Sequence, residues 1–202
     1  MPETAHRDGR TVRSERTRQA LVDALFALLE EGDLSPTAER IAQRAGVSER
    51  SVFQHFHDRE ALFQAVCVQQ YERVVRALKP VDASLPLPER IDAFCDERAR
   101  MLERISPVRR AGQLIEHESD VVAGWLETAR KGAAADVERV FRSELEPLER
   151  GERAVLLAAL VSAGSWQAWE GMRVHQRLGV DRARAAMRAT LRALVASAPG
   201  AG

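Results

Sequence analysis

Residues 37–66 read TAERIAQRAGVSERSVFQHFHDREALFQAV. Ile41, Ala42 and Ala45 recur at helical spacing, and Gly46-Val47 interrupts them. Ser48 then stands where a helix N-cap is wanted, ahead of a short run in which Val52 and Phe56 lie one turn apart. A glycine at such a turn takes a positive φ that other residues resist. Ala42 occupies a place where a bulkier side chain would push the two helices apart. The stretch predicts helix, tight turn, helix. Asp58 starts a further helix carrying Leu62, Ala65, Val66, Val74 and Val75 to about Leu78, where Lys79-Pro80 stops it.

Upstream, Leu21, Ala24, Leu25, Leu28 and Leu29 repeat at three- and four-residue steps, which predicts an amphipathic helix from about Arg13 to Glu31, ended by Gly32. Ser35-Pro36 predicts the N-cap and first turn of the next helix, with Thr37 as a second capping hydroxyl. Residues 1–12 are expected to form a flexible arm. They are polar and lack the apolar run of a secretory signal.

Downstream, Pro80, Pro86 and Pro88 make residues 79–88 the best candidate linker. Helices are expected at about 88–105, 107–117, 119–146, 150–177 and 181–197, with breaks at Pro107, near Ser119, at Pro147 and at Gly179. No alternating strand pattern, internal repeat or low-complexity tract stands out. The fold class is therefore all-α, with a three-helix helix-turn-helix domain over residues 13–66 and a C-terminal helical domain over residues 67–202.

Composition agrees with this reading. The 202 residues include 45% hydrophobic and 5% aromatic side chains, with Gly and Pro sparse. Cys67 and Cys95 are too few for a disulfide framework and fit a reducing compartment. The longest uncharged stretch, Ala154–Trp169, is shorter than the roughly 20 apolar residues of a membrane span. A cytoplasmic chain without a membrane partner is the expectation.

A helix-turn-helix places its second helix in the major groove of double-stranded DNA. The outward positions of that helix are Glu49, Arg50, Ser51, Gln54 and His55. Arg50 suits guanine and Gln54 suits adenine, each through paired hydrogen bonds. Glu49 can accept from a cytosine amine, or favour the helix N-terminus. Ser51 and His55 suit phosphate, as does Thr37 near a helix N-terminus. Arg13, Arg16 and Arg18 either reach a neighbouring phosphate or minor groove, or belong to a solvated basic arm.

Ile41-Ala42, Ala45-Gly46-Val47-Ser48, Phe53, His55-Phe56, Glu60 and Leu62 together resemble the DNA-binding domain of the TetR family of bacterial transcription regulators. The resemblance covers about Arg13 to Val66. It implies an all-α dimer that binds a palindromic operator and is released by a small-molecule effector held in the C-terminal domain. It also implies a DNA interface made of Thr37, Ser48, Glu49, Arg50, Ser51, Phe53, Gln54, His55 and Arg59. The family usually has Tyr at the place of Phe53, where the hydroxyl bonds a phosphate, so Phe53 is expected to keep only a packing role. Arg59 stands for the usual Lys and Ser51 for the usual Thr, keeping the charge and the hydroxyl.

For the C-terminal domain, the resemblance implies a ligand cavity among the helices, with Phe94, Met101, Gln113, His117, Trp125 and Trp166 as candidate lining. Ordinary core packing is the alternative for the apolar four, Phe94, Met101, Trp125 and Trp166. Residues 154–169 and the final helix, with Met187, Leu191, Leu194 and Val195, are apolar enough to need a partner. The resemblance implies a homodimer through these last two helices.

No metal site is expected, because His117, Cys95 and His175 lack ligand spacing. HExxH, a phosphate-binding glycine loop and GxSxG are missing from the sequence, so no catalytic residue, no cofactor and no enzyme activity are expected. A ligand-independent DNA-binding or architectural factor of the same fold is the alternative function.

The 30 basic and 30 acidic residues cancel. Residues 1–59 hold 9 basic and 10 acidic groups, so the DNA-binding domain that the resemblance implies is not basic as a block. Its positive charge must be placed locally, at Arg7–Arg18, Arg50 and Arg59. That predicts weak non-specific binding.

Overall fold

A computed structural model describes residues 4–198 of the chain, with side chains described from Thr11 onward. The architecture is all-α, with no strand among the described residues. The helices are α1 (Thr4–Glu30), α2 (Ala38–Ala45), α3 (Glu49–His55), α4 (Arg59–Ala77), α5 (Leu87–Ile115), α6 (Asp120–Val140), α7 (Arg142–Leu145), α8 (Arg150–Ala163), α9 (Trp166–Glu170) and α10 (Val180–Ala196). A π-helical turn at Gly171–His175 follows α9. No described helix is long and apolar enough to cross a membrane.

The chain forms two compact units. The first holds the described residues up to Val75 together with Pro107–Leu126; the second holds Arg76–Ser106 and the described residues from Glu127 onward. The division falls within α4, α5 and α6, and not at residue 66. Tertiary packing sets it, so a boundary placed at the end of a local motif differs from it.

In the first unit, α1, α2 and α3 contact one another. Leu21, Leu25, Leu28 and Leu29 of α1 close over Ile41 and Ala42 of α2, Val52 of α3 and Phe56. Leu62, Phe63 and Val66 of α4 complete this core with Val108, Ala111, Val122 and Leu126. Both early helix ends carry a left-handed glycine, Gly32 (φ 92°) and Gly46 (φ 68°). After Gly46, the Val47 N–H donates to the Ala42 carbonyl at 3.0 Å, closing a Schellman motif. The positive φ expected at this turn is thus present.

In the second unit, Ile91, Phe94, Cys95 and Leu102 of α5 pack with Val137, Val140, Phe141, Leu145, Leu160, Trp166, Trp169, Met187, Leu191 and Val195. Phe94 and Phe141 meet edge to face at 5.4 Å. Met187, Leu191 and Val195, read from sequence as a partner-seeking face, fill this internal core. A 3.6-residue stripe reports that a face is buried, without saying by what.

Five further expectations change. The segment read as an arm over residues 1–12 is helical backbone from Thr4 onward, and residues 1–3 lie outside the described residues. Apolar periodicity had reported burial, whereas propagation of a helix needs one backbone bond per residue and no apolar face. The two helices split at Pro107 are one, α5, with Pro107 inside it. Its ring forfeits one backbone bond without ending the helix. The helix expected over 150–177 instead stops at Ala163, because Ser165 caps α9 by accepting from the Ala168 N–H at 3.1 Å. The helix over 119–146 is likewise interrupted at Phe141. Residues 79–88 do not behave as a loose linker: Val81 is buried in the second core and its carbonyl accepts from Arg139 at 2.8 Å.

Candidate nucleic-acid interface

Two caps and a turn set the pose of α3. Thr37 caps α2, its hydroxyl accepting from the Arg40 N–H at 3.2 Å. The cap expected at Ser35 is therefore at Thr37. Ser35 serves another purpose, accepting from Arg59 Nη2 at 2.8 Å. Ser48 caps α3, accepting from the Ser51 N–H at 3.3 Å and sharing a 2.9 Å hydrogen bond with the Ser51 hydroxyl. Asp58, read from the sequence as the start of this helix, accepts from the Ala61 N–H at 2.7 Å just ahead of α4.

The helix is anchored from one side. Val52 and Phe56 are 5% and 4% exposed, whereas Glu49, Arg50, Phe53 and Gln54 are all exposed. At about 100° per residue these four positions form one continuous arc. Ser51 and His55 sit at intermediate depth on the flank of that arc. The candidate residues Glu49, Arg50, Phe53 and Gln54 therefore share one open face. Arg50 and Gln54 are engaged by no other side chain among the described residues. One expectation fails here. Phe53 does not pack; it is 59% exposed. Its neighbour Val52 takes the core position, and a seven-residue helix resting on one side has no second core for Phe53 to enter.

Charge around α3 is sparser than the arginine count suggests. Arg44 pairs with Glu31, with a second hydrogen bond at 2.9 Å, and Arg40 pairs with Asp33 at 3.1 Å. The Arg44 hydrogen bond holds the Glu31 carboxyl below its ordinary value. Arg18 lies over the Phe56 ring at 4.8 Å. Arg50, Arg59, Arg13 and Arg16 remain exposed. The acids between Leu21 and Pro36, which lower the net charge of the segment, are in part spent on α2.

Residues 21–66 match the family model described as bacterial regulatory proteins, tetR family. The chain carries a TetR-family domain. That family is one of transcription regulators, not enzymes. The chain is also 28% identical over 129 residues to the HTH-type transcriptional repressor Rv1474c of Mycobacterium tuberculosis. That match takes in 64% of this chain and 66% of the relative's length. Two solved structures share the fold. A transcriptional regulator from Rhodococcus sp. Rha1 superposes with a TM-score of 0.68 at 17% identity, over 92% of this chain and 97% of that one. A protein described as a TetR-family transcriptional regulator from Mesorhizobium loti gives 0.63 at 18% identity, over 91% and 97%. The TetR-family match begins at Leu21 and ends at Val66, so it contains all of the α2–turn–α3 geometry described above.

Outside the TetR-family domain, the candidate ligand residues are divided between the two units. A cavity of about 140 Å³ lies in the second unit, lined by Pro80, Val81, Phe94, Arg98, Met101 and Asp136 among others. Phe94 and Met101 are the two predicted residues that line it. Trp166 is buried elsewhere in the same core, its indole N–H donating to Ser106 Oγ at 3.0 Å. Gln113 and His117 are exposed residues of the first unit, and Trp125 of that unit meets Tyr71 at 6.4 Å.

The sequence reading missed Arg98. Its side chain is 3% exposed, lies over Phe94 at 4.7 Å and donates to Asp136 at 3.0 Å. Burial pulls the Arg98 guanidinium below its ordinary value, and Asp136 opposes that shift. The available signal was a charged residue inside the helical row Phe94–Arg98–Met101. Among the described residues no group of His, Cys, Asp and Glu is arranged to hold a metal ion.

Proposed function

We propose that the chain is a transcription regulator that binds a palindromic operator as a homodimer and acts as a repressor. The observation that carries this reading is the arc of α3. One side of the helix is locked into a core by Val52 and Phe56, and the other presents Arg50 and Gln54 to solvent. Those two side chains match the hydrogen-bonding edges of guanine and adenine. Ser48, Ser51 and His55 belong to α3 or its cap, and together with Thr37 and Arg59 they suit phosphate oxygens, which take most protein–DNA hydrogen bonds. Glu49 accepts from a cytosine amine in this reading.

Dimerisation through α8 and α10 is supported by their packing and their outward faces. These helices pack together in the second unit. Their outward residues Ala154, Val155, Ala158, Ala189, Ala193 and Ala196 are exposed and small or apolar, with Val155 at 71%. Small side chains let a second pair of helices approach closely.

Release by a small effector draws on the cavity beside Arg98 and Phe94. Its volume is below the roughly 300–1,000 Å³ of typical ligand pockets. That favours a second reading, in which the same DNA interface works without an effector.

Selection of duplexes from a random pool by the purified chain, followed by footprinting, tests the first reading. The expected result is an enriched sequence with two inverted half-sites and a strong salt dependence. No enrichment over the starting pool overturns it. Recovery of a two-fold site that no compound in a small-metabolite panel releases favours the second reading.

A further inference from the structure

α3 turns outward one ring that the fold does not use. At about 100° per residue, Phe53 falls between Glu49 and Arg50 on the helix surface, with Gln54 beyond Arg50. The ring sits inside the polar arc and not at its edge. A lone exposed apolar side chain is ordinary on a protein surface. The neighbours give this one a meaning. Arg50 and Gln54 are side chains that read base edges by hydrogen bonds, and a base edge in the major groove offers one prominent apolar group, the 5-methyl of thymine. The Phe53 ring has no donor or acceptor, so it cannot hold a phosphate or discriminate bases by hydrogen bonding. Shape and apolar contact are the means left to it.

We infer that Phe53 is a specificity-determining residue that reads a thymine methyl beside the base pair met by Arg50. The inference rests on the DNA-binding reading above and adds the chemical group that this position selects. Removing one buried methyl from the interface costs about fourfold in affinity, from about 0.8 kcal/mol per buried carbon.

The test uses the full chain and the duplex it enriches from a random pool. Each thymine is replaced singly by deoxyuridine, which keeps every hydrogen-bonding group and removes the methyl alone. The expected result is about fourfold weaker binding of the wild-type chain at one thymine of a half-site. The same replacement leaves Phe53→Ala unaffected, Phe53→Leu retains part of the discrimination, and Arg50→Ala stays methyl-sensitive. All are compared at a salt concentration low enough for every variant to bind. Three results overturn the inference: uridine tolerated at every position, methyl sensitivity that survives in Phe53→Ala, or an enriched sequence without thymine. If no duplex is enriched, the DNA-binding reading itself fails and takes this one with it; uridine tolerance in an enriched duplex removes this one alone.

Discussion

Val52 and Phe53 are consecutive residues of α3 that face opposite environments, 5% and 59% exposed. Their contrast fixes which side of the helix is scaffold and which is free to meet a partner. Val52→Ala is expected to cost about 2 kcal/mol of stability, from two buried carbons and the cavity they leave. Phe53→Ala is expected to stay within about 0.5 kcal/mol of wild type. Denaturant titration followed by circular dichroism measures both. Equal destabilisation by the two would mean that α3 is turned differently on its core.

Gly46 and Gly132 make a second contrast. A Cβ added at either meets nothing within 4 Å, but Gly46 has φ 68° and Gly132 lies in regular helix α6. Gly46→Ala is expected to destabilise by about 1–2 kcal/mol through backbone strain. Gly132→Ala is expected to stabilise by up to about 1 kcal/mol through helix propensity. Opposite shifts in thermal midpoint are the predicted outcome, and a Gly46→Ala variant as stable as the wild type would contradict the left-handed turn.

In the second unit, Glu103 accepts from Trp169 Nε1 and from Arg173 Nε, both at 2.8 Å. The hydrogen bond to Glu103 holds the Arg173 guanidinium above its ordinary value. Trp169 is fully buried, so removing its acceptor leaves a polar group desolvated. Glu103→Ala is expected to cost about 2–3 kcal/mol, and Glu103→Gln less because it keeps an acceptor. A Gln variant as damaged as the Ala variant would assign the effect to charge alone.

Both cysteines are buried, and burial pushes each thiol up to about 12. The thiolate is the reactive form, so at pH 8 neither should react with a thiol reagent while the chain is folded. Both should react promptly in denaturant. Fast labelling of either in the folded state would show that its core opens.

The helix-turn-helix was legible because its determinants are local. Gly46, the Ser48 cap, and the Val52–Phe56 step each act within one or two turns. The positions that misled depend on partners distant in sequence. Pro107 continues a helix because tertiary packing outweighs one lost backbone bond. Ser35 lost the capping role to Thr37, and its hydroxyl meets Arg59, 24 positions away. Met187, Leu191 and Val195 have the periodicity of any buried face, and only the fold tells an internal core from an interface. Arg98 was overlooked because charged residues are expected outside, whereas Asp136 and the Phe94 ring make its burial tolerable.

The central claim is that α3 meets DNA through Arg50. Fluorescence anisotropy of the wild type and Arg50→Ala on the enriched duplex tests it most directly. If Arg50 pairs with a guanine, the variant loses about 1–3 kcal/mol of affinity and relaxes its preference at one base pair, with an unchanged denaturation midpoint. Equal affinity and equal sequence preference in the two proteins would contradict the claim.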